Sequence, residues 1–163
     1  MLINQKGEKF KMYNHIEYTD EFITLHDCEA ERIIFDNNVL SFVFSDGFWI
    51  TDKNPFNESD NIVRTDCSQV DFEIIDDEIE IYVFEKENGR VLREQWEIQS
   101  FGKAVNDKDF KVEFIDRYNG TETVLFKGFI HFDRVPFRKE CEIILHIVNE
   151  KYMWNVPRYD RIW

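Results

Sequence analysis

At 163 residues the chain has the length of one domain, 1–163, with enough apolar material to fold without metals or disulfides. It carries 33 acidic against 20 basic residues, a net charge of −13 spread along the chain. That sign repels phosphate backbones and anionic lipid, so it argues against nucleic-acid and membrane partners and for a basic protein or a cation.

Ala occurs only at Ala30 and Ala104, while Phe occurs 16 times. Such a balance favours pleated, half-buried strands over helices. Scarce Ala, Gly and Pro beside abundant Phe, Ile and Asn also fit an AT-rich bacterial genome. The first 20 residues are polar and read as an arm or a short N-terminal helix. Residues 1–13 hold Lys6, Glu8, Lys9 and Lys11 and no apolar run of the kind a secretory leader needs. No apolar run reaches the ~18 residues of a membrane span. Cys28, Cys67 and Cys141 are odd in number and form no CxxC pair, so free thiols in a reducing cytoplasm are expected, with no metal and no cofactor.

His26 and Cys28 fall on one face of a strand at i and i+2, the minimum for a thiol nucleophile or half a metal site. The alternative is a buried thiol beside a satisfied imidazole. Asn37-Asn38 and Asp46-Gly47 both supply residues that tolerate positive φ, as two-residue hairpin loops require. They predict a three-stranded meander over residues 30–51, with Phe35 opposite Leu40, Ile33 opposite Phe42, and Phe44 opposite Trp49. Residues 51–61 are polar and contain Pro55, so they form a loop. Asp52, Asn54, Asn57, Glu58, Asp60 and Asn61 are oxygen donors of the type Ca²⁺ takes, but Phe56 and Val63 stand where that template needs ligands.

Val70–Ile74 alternates as a strand. The next hairpin, on Asn88-Gly89, pairs Glu87 with Arg90, Glu85 with Leu92, Val83 with Glu94, Ile81 with Trp96 and Ile79 with Ile98. This register sets Glu85 and Glu94 diagonally on the apolar face. Two carboxylates there would divide into acid and base if buried, or do nothing if the core face has run out into water. Residues 106–109 and 133–136 read as connections. Asn119-Gly120-Thr121 predicts a three-residue loop with a Gly bulge, aligning Val112 and Phe114 with Gly128 and Ile130. Strands follow at about 140–148 and 151–156.

The last stretch, 152–163, carries Tyr152, Trp154, Tyr159 and Trp163 with Arg158 and Arg161. It either docks onto the domain or presents the aromatic and Arg-rich surface that interface hot spots favour. These elements together predict an all-β chain, a hairpin-rich antiparallel β-sandwich or small β-barrel. No GxSxG, HExxH, P-loop or GxGxxG is present. The leading functional expectation is therefore a non-enzymatic interaction module, an inhibitor or immunity-type binder of a basic protein. The others are a ligand-binding protein or enzyme with a cavity lined by Glu85 and Glu94, and a homo-oligomer.

Overall fold

The computed structural model describes residues 12–163, and the chain is all-β and antiparallel with one short helix. In chain order the elements are β1 (His15–Glu17), β2 (Ile23–Thr24), β3 (Cys28–Ala30), β4 (Arg32–Asp36), β5 (Val39–Phe44), β6 (Trp49–Ile50) and β7 (Val63–Thr65). Then come β8 (Ser68–Glu87), β9 (Arg90–Trp96), α1 (Ile98–Asn106), β10 (Lys111–Asn119), β11 (Thr123–His131), β12 (Arg138–Trp154) and β13 (Pro157–Ile162).

The large sheet runs β3-β10-β11-β12-β8-β5-β4, with β1 added on β12 and β9 added on β8. Its two margins, β3 and β4, are consecutive parts of one chain run, and the Glu31 amide between them donates to the Val43 carbonyl. The sheet therefore curls through a half-barrel until its margins are neighbours. Four phenylalanines prove the curl from inside. Phe42, Phe72, Phe126 and Phe114 come from β5, β8, β11 and β10, yet close a ring of tilted and edge-on contacts with centroids 5.0–6.1 Å apart. The helix packs on β4 with Phe101, Ala104 and Val105 buried, and Asn106 bonds both backbone groups of Ile33. A four-stranded sheet, β13-β7-β6-β2, supplies Ile23, Phe48, Ile50 and Val63 to the same core.

Strands β8 and β12 each bend at one corner. Buried residues on β8 are Val70, Phe72 and Ile74, then Ile81 and Val83, so the inward phase switches from even to odd. Asp76 (φ 49°) and Asp77 (φ 57°) absorb the switch. Opposite them, the β12 register slips between Leu145 and Asn149, and its inward phase changes from Cys141, Ile143 and Leu145 to Tyr152 and Trp154. Paired bulges keep both long strands facing the core on either side of the bend.

The Asn37-Asn38 and Asn88-Gly89 registers stand as the sequence predicts, except that Ile98 begins α1 instead of pairing with Ile79. Four expectations are corrected. The meander over 30–51 does not form: β5 pairs with β8, β6 pairs with β2 and β7, and Asp46-Gly47 is the corner by which the chain leaves one sheet for the other. The three-residue β10–β11 loop is Gly120–Glu122, one place later than expected, because Asn119 pairs with Val124. Its positive φ belongs to Glu122, and the bulge lies at Ile115 inside β10, which still brings Val112 opposite Ile130 and Phe114 opposite Gly128. The helix is internal; of the expected N-terminal arm or helix, residues 1–11 lie outside the described residues, and 15–17 form β1.

Candidate functional site

Glu85 and Glu94 keep their diagonal register but are both exposed, and they line no common cavity. Beyond Val83 the β8–β9 hairpin projects past the core, leaving Leu92 47% exposed on what would have been the dry face. Glu85 is instead held by Lys139, with Nζ 3.1 Å from Oε2. The acid/base pair is thus set aside.

His26 and Cys28 do not lie on one strand face as expected: His26 sits in the turn before β3, Asp27 between them has φ 55°, and the two form no dyad. His26 Nδ1 donates to the Ile115 carbonyl at 2.7 Å, since a carbonyl can only accept, and the ring stacks on Trp163 at 5.3 Å. The fully buried Cys28 thiol points to backbone carbonyls, with Sγ 3.5 Å from the His26 oxygen. Burial pushes the thiol up to about 12, and Cys141 rises to about 12 for the same reason. Because the thiolate is the nucleophile, both groups are inert at neutral pH. Among the described residues no three His, Cys, Asp or Glu side chains are placed to hold a metal ion. In the 51–61 loop Asn54 and Asn57 turn inward, Asn54 to Glu17 and Asn57 to the carbonyls of Thr51 and Asn61.

These thiols make stability fall in alkali. Unfolded, they ionise near pH ~8.5. Folded, they stay protonated to about 12, so the unfolded chain binds fewer protons in between. Their contribution is complete below that lower limit and is lost as pH rises, at about 1.4 kcal/mol per pH unit per thiol. Urea unfolding from pH 7 upward should show this slope, and the C28A/C141A double variant should flatten it. An equal slope in both proteins would refute the assignment.

The C-terminal stretch docks. Tyr152 and Trp154 are fully buried, which removes both from any contact surface. Residues 157–162 form β13 on β7, while Arg158 and Arg161 both reach Asp46, at 3.5 and 2.7 Å. Tyr159 accepts from the Glu58 amide, and Trp163 lies between His26 and Trp49. Of the four aromatic side chains Tyr159 and Trp163 stay exposed, beside Val156 and Ile162.

Two concavities hold chemistry. A cleft of about 80 Å³ is lined by Asp20, Thr24, His26, Ile115, Arg117 and Tyr152. It has room for two or three waters, each taking about 30 Å³ in the liquid. Arg117 is held there by Tyr152, Glu150, Asp20 and Asn119, and the two carboxylates answer its charge. A groove of about 460 Å³ lies beside the C-terminal end of α1, lined by Glu29, Glu31, Asp109, Lys111, His131 and Asp133. His131 Nε2 is 2.6 Å from Glu113 and Lys111 Nζ is 3.1 Å from Glu29; that hydrogen bond raises the Lys111 ammonium. Lys108 lines the same groove, so its carboxylates Glu31, Asp109 and Asp133 stand among three basic side chains.

A third concentration of charge is gathered by the bulged corner. The Asn37-Asn38 turn reaches it through the Ile74 amide on the Asn38 carbonyl, and the β10–β11 loop through the Ile147 amide on the Glu122 carbonyl. Asp36, Glu73, Asp76, Asp77, Glu78, Glu80 and Glu122 therefore share one end of the molecule. Among the described residues the one basic side chain paired with any of these acids is His146, 3.3 Å from Glu78. Five of the acids form the acidic run 73–80 of the sequence, while Asp36 and Glu122 join it only through the fold. Comparison with family models, curated proteins and solved structures finds no match to this chain.

Proposed function

We propose that the chain is a non-enzymatic acidic binding module whose partner is a basic protein, an inhibitor or immunity-type interaction made in the cytoplasm. The single observation that carries this reading is the carboxylate corner built by the paired bulges of β8 and β12. Seven exposed or half-exposed acids stand there against one imidazole. Elsewhere on the sheet, bases stand beside several of the acids, as with Lys86–Glu140 and Lys127–Glu142. A one-signed surface steers an oppositely charged partner and accelerates encounter, an effect that salt removes. The three free cysteines suit a reducing compartment. Among the described residues no helix is long and apolar enough to cross a membrane.

The test is capture from the native lysate by immobilised protein, at low salt and at about 1 M, where the Debye length shrinks to about 3 Å. The comparison is a D76N/D77N/E78Q variant, in which Asn tolerates the positive φ that Asp76 and Asp77 adopt. A basic protein captured at low salt should be lost both at high salt and by the variant. A groove control, E31Q/D133N, should capture it unchanged. Capture insensitive to salt, or kept by the corner variant, would set this reading aside.

A further inference from the structure

We infer that β9 is a homodimerisation edge, pairing antiparallel with β9 of a second copy about a two-fold axis through Leu92. Strand β9 has one partner, β8, and no described backbone group bonds its other side. Its residues from Arg90 to Gln95 are all exposed, with Val91 at 61%. A free edge of seven residues is a template for another strand.

The hydrogen-bonding phase selects which registers can form. Glu87 and Arg90 close the two-residue loop, so they are a hydrogen-bonded pair, and alternate pairs from there also bond. Arg90, Leu92, Glu94 and Trp96 thus turn their backbone groups toward β8. Val91, Arg93 and Gln95 turn theirs outward. A second copy must bring odd-numbered residues opposite odd-numbered ones, which places the two-fold axis on a single residue. Centred on Arg93, the pairing opposes Arg93 to itself; centred on Glu94, it opposes two carboxylates. Centred on Leu92, it sets Leu92 against Leu92, Arg90 against Glu94 twice, and Val91 against Arg93 twice. This last register alone stacks an apolar pair between two opposite-charge pairs, and it bonds Val91 and Arg93, two of the three outward-facing residues, to each other across the axis.

The outcome joins two curled sheets edge to edge. Like net charge on the copies opposes it, so the association is weak and concentration-dependent. None of this depends on a basic partner, and the corner acids lie on other strands.

Sedimentation velocity over a range of concentrations tests the proposal. The wild type should show a monomer–dimer equilibrium. R90E or E94R converts two attractive cross-strand pairs to repulsive ones and should weaken association about tenfold or more, while the R90E/E94R double swap should restore it to near the wild-type value. R93P removes one outward N–H without touching the β8 ladder and should give monomer at every concentration. Far-UV circular dichroism and urea midpoints of these exposed variants confirm that they remain folded. A wild type that stays monomeric, a dimer indifferent to R93P, or a double swap that fails to restore what each single removes would overturn the pairing.

Discussion

Replacing Gly47 with Ala should destabilise the chain by about 3–5 kcal/mol, combining strain of left-handed backbone with overpacking against fixed atoms. Gly47 has φ +79°, and a Cβ there would lie 2.2 Å from the Thr65 carbonyl oxygen and 2.5 Å from that of Asp66. Those oxygens cannot step aside cheaply. Thr65 is fully buried, its amide donates to the Phe48 carbonyl, and its hydroxyl bonds both backbone groups of Phe48. Moving it would pull β7 from β13 and disturb the arginines gathered on Asp46. Gly89 supplies the internal control, because it has φ +75° with nothing within 4 Å of a Cβ. Gly89→Ala should therefore cost only the backbone term, about 1–2 kcal/mol. Urea unfolding of both variants separates strain from contact. Equal losses in the two would show that Thr65 yields, and that the corner is not the fixed junction described above.

Gly47 also shows why the fold was only partly legible. An Asp-Gly dipeptide states that the backbone needs positive φ, and it states nothing about whether the flanking strands pair with each other. Asn37-Asn38 and Asn88-Gly89 join neighbours, so turn chemistry and side-chain period fixed their registers residue by residue. At Asp46-Gly47 the same chemistry turns the chain from one sheet into another. The helix had a signal, since Ile98, Phe101 and Val105 fall at helical spacing, but extending the β9 alternation through Ile98 hid it. The paired bulges had one too: apolar positions at 70, 72 and 74 and then at 79, 81 and 83 change phase, which a single bent strand explains better than two straight ones. What no reading of spacing could supply was the meeting of Asp36 and Glu122 with the acidic run 73–80, because they join it only through β8–β12 pairing and the loops hydrogen-bonded onto it. Likewise Glu85 and Glu94 were placed correctly in register, yet their burial depended on how far the core extends along the hairpin.

The same dependence on long-range pairing governs Arg117, whose replacement by Met should cost about 3 kcal/mol through the carboxylates it leaves behind. The bulge at Ile115 rotates β10 so that Arg117 faces Phe126 and the interior, with its side chain 17% exposed. There it meets Glu150, 12% exposed, at 2.7 Å, together with Asp20 and the Tyr152 hydroxyl. Burial already holds the Tyr152 phenol well above its ordinary value, so that hydroxyl stays neutral and cannot replace a cation. Met conserves most of the volume and removes the charge, leaving the largely buried Glu150 carboxylate with the Tyr152 hydroxyl and no counter-ion. The penalty comes from the carboxylate's charge, so protonation removes it and the gap between variant and wild type should narrow on acidification. Adding E150Q to R117M should recover part of the loss, because two neutral groups need no counter-ion, whereas E150Q alone strands Arg117 with only Asp20. A double-mutant cycle by urea unfolding at pH 7 and pH 5 reads both effects. Additive losses that do not change with pH would mean that Arg117 acts by packing on Phe126 and not through its charge.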